Sequence, residues 1–222
     1  MFSYPLNPFA SWTFALVCAA LLFEAARRAR WNAPVPEHLV WAIATAAVLL
    51  GHRMTVTLPS GLQLHYLGSA FLALLLGYPR ALLSMGAVLA IDAAWLQPDA
   101  TGADPSSWGL RMLLSGALPV WIMWTIVSAT RRWLPHNPFV FLLGCGLLGL
   151  LVSYVVQLAA SALAILVFAP SVPRGLIDDF VPYALLLASG EAWLEGMLVT
   201  VLVVYVPGSV RLFDEDFYLK RR

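Results

Sequence analysis

The sequence predicts an all-α polytopic membrane helix bundle, and two observations carry that prediction. First, 61% of the 222 residues are hydrophobic and only 11% are charged, with a mean hydropathy of +0.81. Soluble domains carry about 25% charged residues. Second, the apolar residues form repeated runs of helix length, without the alternation over segments of about ten residues that is typical of a transmembrane barrel. We therefore expect a single transmembrane domain over 1–222 with about seven helices.

Seven apolar segments are expected to lie in the membrane, near 9–26, 38–51, 62–77, 79–96, 108–129, 139–169 and 182–206. The third is short. As a helix it would reach about 24 Å, against a hydrocarbon core of about 30 Å, so it either spans or re-enters. The sixth is too long for an untilted helix and is expected to tilt, bend or protrude.

The distribution of positive charge predicts the direction of the chain. If all seven segments span, only Arg53 and Arg174 flank the spans on one side. The other side then carries Arg27, Arg28, Arg30, Arg80, Arg131, Arg132, Arg211, Lys220, Arg221 and Arg222. Cytoplasmic loops are enriched in lysine and arginine. This bias favours seven spans, with the N-terminus outside and the C-terminus in the cytoplasm.

Several function classes are excluded by what the chain lacks. Its net charge of +1 offers no basic surface for nucleic acid. Lys220 is the only lysine, so there is no phosphate-binding P-loop and we expect no nucleotide on this chain. No zinc-protease or serine-hydrolase motif occurs. Cys18 and Cys145 both lie inside apolar runs and are expected to be core residues.

The stretch GHRMTVTLPSGLQLHYLG, residues 51–68, separates the second and third apolar segments. His52 ends one segment and His65 begins the next. Glycines and Pro59 allow non-helical backbone at the membrane edge, where it is tolerated if it lines a cavity or is buried in protein. We expect His65, with His52 as a possible second ligand, to face a cavity reached from outside. The alternative for His52 is a residue at the level of the lipid headgroups.

Other ionisable residues are expected at the same outer side. Asp92 lies in the outer part of the fourth segment, and Glu191 and Glu195 share one face of the seventh. Such groups are costly in a membrane and are functional candidates by default. The predicted metal ligands are therefore His65, His52, Glu191 and Asp92, with Glu191 binding directly or orienting His65. Alternatively, Asp92 or Glu191 pairs with Arg111 at the start of the fifth segment.

Four stretches of the chain carry a resemblance to a known family. GLQLHYLGSAFLALLLGYPRALLSMGAVL resembles the central segment of the permease subunits of cobalt/nickel-type energy-coupling factor transporters, in a divergent branch. The likeness continues at RRWLPHNPFVF, at SGEAWLEGMLVTVLVVYVPGSV and in FDEDFYLKRR, and covers roughly residues 50–222. The order and spacing of these short motifs carry it.

The resemblance implies a substrate-capturing subunit of seven helices in the bacterial inner membrane. Such a subunit works with a transmembrane coupling subunit and a pair of cytoplasmic ATPases, and a histidine matching His65 helps to bind a divalent transition metal, the substrate. Two departures leave the metal open: this chain begins Met-Phe where the family has Met-His, and Arg111 stands where the family has asparagine.

Two other functions stay open at this point. One is an accessory or assembly membrane protein in which the metal site has degenerated. The other is a membrane-embedded enzyme that uses Glu191 or Glu195 as a general acid or base with His65 as partner. Since no catalytic motif supports the enzyme, we expect that the protein is not one.

Overall fold

The computed structural model describes residues 7–57, 63–93, 107–168 and 174–219. These residues are mostly helical, with one short two-stranded antiparallel sheet. The strands are β1 (Thr55–Thr57) and β2 (Gln63–His65). The helices are α1 (Pro8–Arg28), α2 (Val35–His52), α3 (Ser69–Leu76), α4 (Tyr78–Ile91), α5 (Trp108–Trp133), α6 (Val140–Phe168), α7 (Arg174–Tyr205) and α8 (Glu215–Leu219).

Five helical segments are long and apolar enough to cross a membrane. They are α1, α2, α5, α6 and the part of α7 from Phe180 to Tyr205. Their outward faces carry large apolar side chains: Trp12 on α1 is 71% exposed and Leu186 on α7 is 72% exposed. Faces of this kind are suited to lipid. The prediction of a polytopic helical membrane protein is confirmed.

The predicted third segment, 62–77, is not one helix. Its first residues form β2, in which His65 pairs with Thr55 of β1, and only Ser69–Leu76 is helical. At eight residues α3 is about 12 Å long, too short to span a bilayer. All eight residues are buried, so protein and not lipid surrounds the helix. Composition could not reveal this, because a buried core helix and a lipid-facing helix are equally apolar.

Both long central helices depart from regular α geometry. In α5 the turns over Met112–Ala117 are π-helical, and in α6 those over Val140–Gly149 are. π-helical turns frequently mark functional sites. The two helices pack closely at Gly149, where an added Cβ would lie 3.2 Å from Met123 Cε. This small residue lets the two helices approach closely.

The arginines at the predicted cytoplasmic side gather at one end of the bundle. They surround a cleft of about 760 Å³ that is lined by Arg28, Arg30, Arg80, Arg131 and Arg211, together with Asp214, Glu215 and Asp216. The segment after α7 closes this end, since the backbone N–H groups of Arg211 and Leu212 donate to the carbonyls of Leu75 and Leu74. These bonds satisfy carbonyls at the end of α3 that have no partner within the helix.

Candidate functional site

The loop between α2 and α3 is shaped around the ring of Tyr66. A Cβ added at Gly51 would lie 2.6 Å from Tyr66 Cδ1, and one added at Gly68 would lie 2.8 Å from Tyr66 Cε1. Gly68 also has φ +64°, a left-handed conformation that glycine adopts without strain. The two glycines thus allow Tyr66 to pack against α2. Pro59 lies outside the described residues.

His52 and His65 come together as the sequence predicts. Their rings stack with centroids 5.2 Å apart and an angle of 17° between planes. Both side chains are buried, each only 5% exposed. The ring of His52 therefore packs inside the protein, and the loop brings both imidazoles to one place.

The hydrogen bonds of His52 determine where its proton lies. Its Nδ1 is 2.9 Å from the carbonyl oxygen of Tyr66. Because a carbonyl can only accept, Nδ1 carries the proton and Nε2 holds a lone pair. Within the described residues, neither His52 Nε2 nor His65 Nδ1 has a hydrogen-bond partner. A buried imidazole that donates one N–H to a carbonyl and keeps its other nitrogen free is the usual form of a metal ligand.

Asp92 and Arg111 lie beside this pair. Arg111 Nη2 donates to Asp92 Oδ2 at 2.8 Å, and both side chains are buried. His52 Nε2 is 3.9 Å from the same oxygen, too far for a hydrogen bond. Of the two roles that the sequence leaves open for Asp92, the structure shows the ion pair with Arg111.

The side chain of Glu191 binds the backbone of the loop. Its Oε2 accepts from the N–H of Leu67 at 3.0 Å, and its Oε1 has no partner among the described residues. The carboxylate thus fixes the backbone at Leu67, two residues after His65. It also lines an apolar cavity of about 670 Å³ between α2 and α7, with Val48 and Leu64 among the other lining residues.

Glu195, one turn further along α7, is fully buried and bound by two tyrosines. Tyr66 Oη donates to its Oε1 at 2.5 Å, and Tyr154 Oη donates to its Oε2. Neither tyrosine is among the residues predicted for the site. A signal existed, because a buried carboxylate needs donors, and Tyr66 directly follows His65. Since both carboxylate oxygens are engaged, Glu195 holds the loop in place.

The remaining histidines lie apart from this site. The ring of His136 packs against that of Phe217 at 4.1 Å, and His38 Nε2 is 3.1 Å from the carbonyl of Trp31. Cys18 and Cys145 are buried, as predicted for core residues. Among the described residues, no three His, Cys, Asp or Glu side chains form a group that could hold a metal. Asp99, Asp104 and the Met-Phe start lie outside those residues.

Residues 4–208 match the family model for CbiM, described as the cobalt uptake substrate-specific transmembrane region. The chain belongs to the CbiM family. The resemblance noted in the sequence is confirmed, and the protein is a multi-pass membrane protein of a transport family, not an enzyme. The enzyme hypothesis for Glu191 or Glu195 with His65 is thereby set aside.

Two solved structures share the fold. A crystal structure of a transition metal transporter has a TM-score of 0.71 at 20% identity, covering 89% of this chain and 89% of that one. A truncated transition metal transporter has a TM-score of 0.72 at 20% identity, covering 90% of this chain and 96% of that one. No curated protein matches the sequence.

Proposed function

We propose that this CbiM-family chain is the substrate-capturing permease subunit of an energy-coupling factor transporter. It takes a divalent transition-metal cation, of the cobalt or nickel class, from outside the bacterial inner membrane. In this proposal the chain crosses seven times, with α3 and the preceding loop counted as one short crossing. The N-terminus then lies outside and the C-terminus in the cytoplasm.

The stacked pair His52 and His65 carries the proposal. It presents two buried nitrogens without protein partners among the described residues. Neutral imidazole is the commonest ligand for transition metals and suits Co, Ni, Cu and Zn. Oxygen ligands from Asp92 or Glu191 stay a prediction, since Arg111 and Leu67 occupy one oxygen of each.

The position of this pair supports capture from outside. His52 ends α2, while the arginine cleft lies at the other end of the bundle, where α1 and α5 end. By the positive-inside rule the cleft faces the cytoplasm, which puts the histidines at the outer side. Energy would come from partners, a transmembrane coupling subunit and a pair of ATPases, since the sequence contains no P-loop.

Calorimetric titration of the purified protein with Co²⁺, Ni²⁺, Zn²⁺ and Cu²⁺ tests the metal site. His65→Ala should abolish binding of the metal that the unmutated chain takes, while the folded protein persists. His136→Ala is the matched control, since that ring packs beside α8 at the opposite end, and it should bind as the unmutated chain does. Equal binding by His65→Ala and the unmutated chain would refute the histidine site.

A degenerate site in an accessory or assembly protein is the second candidate. The ion pair of Asp92 with Arg111, and the lack of a three-ligand group within the described residues, favour it. This candidate predicts that the unmutated chain binds none of the four metals. The titration above therefore separates the two functions before any variant is made.

A further inference from the structure

Arg111 places a permanent positive charge beside the two histidines. Its guanidinium is bound to Asp92 Oδ2 at 2.8 Å, and the arginine side chain is 8% exposed. An arginine stays charged at any physiological pH. We propose that Arg111 is a tethered cation that competes with the metal for the Asp92 carboxylate and so sets the affinity of the site. This inference rests on the proposed function.

Two hydrogen-bond acceptors, His52 Nε2 and Asp92 Oδ2, lie close together beside Arg111. His52 Nε2 carries a lone pair because its Nδ1 donates to Tyr66, and the oxygen 3.9 Å away belongs to an acidic side chain. Two acceptors at this distance do not stabilise each other. A cation between them would, and transition-metal bonds to imidazole nitrogen and carboxylate oxygen are each about 2.1 Å long. One ion can therefore touch both His52 Nε2 and Asp92 Oδ2 without either atom moving away.

Arg111 already occupies that oxygen. A metal that binds Asp92 Oδ2 must displace the guanidinium or share the oxygen with it, and in either case it meets a like charge in a buried place. Coulomb repulsion in such a site is much larger than in water. The arginine thus lowers the affinity that His52 Nε2 and Asp92 Oδ2 would otherwise offer to a metal ion.

The direction in which Arg111→Gln changes the metal affinity distinguishes competition for Asp92 from a purely structural ion pair. If Arg111 only stabilises the fold, Arg111→Gln leaves Asp92 buried and unpaired, and metal binding weakens with the fold. If Arg111 competes, Arg111→Gln frees the carboxylate, and binding becomes stronger. Only competition makes that gain depend on Asp92.

The experiment compares calorimetric titrations with Co²⁺ and Ni²⁺. We expect Arg111→Gln to bind about tenfold more tightly or better, and the double variant Arg111→Gln with Asp92→Asn to lose that gain. Arg80→Gln is the matched control. Arg80 is also buried and pairs with a carboxylate, Glu37 at 3.3 Å, but lines the arginine cleft, so its removal should leave the affinity unchanged.

Thermal unfolding covers the case in which Arg111→Gln is unstable. Bound metal should raise the Tm of Arg111→Gln more than that of the unmutated chain, since the ion replaces the missing guanidinium. If the unmutated chain binds metal while Arg111→Gln binds no more tightly and gains no more in Tm, the inference is overturned and the proposed function stands. If neither chain binds metal, both fail. Binding by Arg111→Gln alone supports the inference.

Discussion

Hydrogen bonds from the next two residues hold His65 in position. The carbonyl of Tyr66 accepts from His52, its hydroxyl donates to Glu195, and the N–H of Leu67 donates to Glu191. One face of α7 thus fixes the loop through a side chain and a backbone group. The Tyr66 carbonyl orients the ring of His52, and the loss of such a partner of a metal-ligating histidine typically costs about 10–100-fold in affinity.

Tyr66→Phe should weaken metal binding by about 10–100-fold, because the ring still fills the space beside Gly51 while the bond to Glu195 is lost. Calorimetric titration measures the affinity, and the number of sites should not change. Tyr205→Phe, at a residue 79% exposed, is the control and should have no effect. Unchanged affinity in Tyr66→Phe would show that the hydrogen bond between Tyr66 and Glu195 does not position His65.

Substitutions at Glu191 test the hydrogen bond that its carboxylate accepts. Glutamine keeps a carbonyl oxygen that can accept from the Leu67 N–H, whereas alanine keeps no acceptor. Glu191→Ala should therefore weaken binding by about 10–100-fold and Glu191→Gln by clearly less. The same titration distinguishes the two variants. An equal loss in Glu191→Gln and Glu191→Ala would mean that the charge of the carboxylate, which both variants remove, and not its hydrogen bond, matters to the metal.

Among the secondary-structure elements, α3 and its glycine cap join the site to the rest of the bundle. Gly68 begins α3 with φ +64°, next to the ring of Tyr66, and the other end of α3 is bonded to the segment that follows α7. The helix is buried along its whole length of eight residues. Any shift of the histidine loop must therefore move α3 or strain its cap.

Gly68→Ala should lower the Tm and weaken metal binding. A non-glycine residue in the left-handed region costs about 1–2 kcal/mol, and the new Cβ would also lie 2.8 Å from both Tyr66 and Val48. Thermal unfolding and titration measure the two effects. The control is Gly144→Ala, where an added Cβ meets nothing within 4 Å. If Gly68→Ala behaves like Gly144→Ala, the cap does not constrain the loop.

The long helices could be predicted from the sequence, because hydropathy over about twenty residues reports membrane spans directly. The segments predicted near 9–26 and 108–129 correspond to α1 and α5. The division of 62–77 into β2 and α3 could not be predicted, since three-residue strands and buried apolar helices leave no periodic signal.

For the site, the predicted topology put His52, His65, Asp92 and Arg111 on one side of the membrane, and the structure brings their side chains close to one another. The predicted topology does not determine whether Asp92 binds a metal or Arg111, because that depends on the distances between side chains. Tyr154 was missed for a different reason. A tyrosine inside an apolar run is indistinguishable by hydropathy from an apolar core residue. The hydroxyl of Tyr154 nevertheless donates a hydrogen bond to the carboxylate of Glu195.

In the whole molecule, the histidine site and the arginine cleft lie at opposite ends of α3. The site precedes Ser69, and Leu76 lines the cleft. About 12 Å of helix separates them. In the proposed orientation, the histidine site would face the outside for metal capture and the arginine cleft would face the partner subunits in the cytoplasm.

Single-cysteine labelling tests that orientation. A cysteine at Met54, which is 76% exposed, should react with a membrane-impermeant reagent from outside, and one at Gly208 should react only from the cytoplasm. The native Cys18 and Cys145 are 1% and 0% exposed and should stay unlabelled, which keeps the background low. Labelling of Met54→Cys from the cytoplasmic side alone would invert the topology and place the histidines inside.

The last prediction concerns energy. The isolated chain, reconstituted in lipid vesicles with ATP on both sides and Co²⁺ or Ni²⁺ outside, should bind metal but not accumulate it, because its sequence contains no P-loop. Uptake of radioactive metal over time measures accumulation, and the His65→Ala chain sets the background. ATP-driven accumulation by this chain alone would contradict the proposed need for partner ATPases. Accumulation driven by a proton gradient alone would indicate a secondary transporter, and Glu191, a buried carboxylate with one oxygen unpartnered among the described residues, would then become the candidate proton carrier.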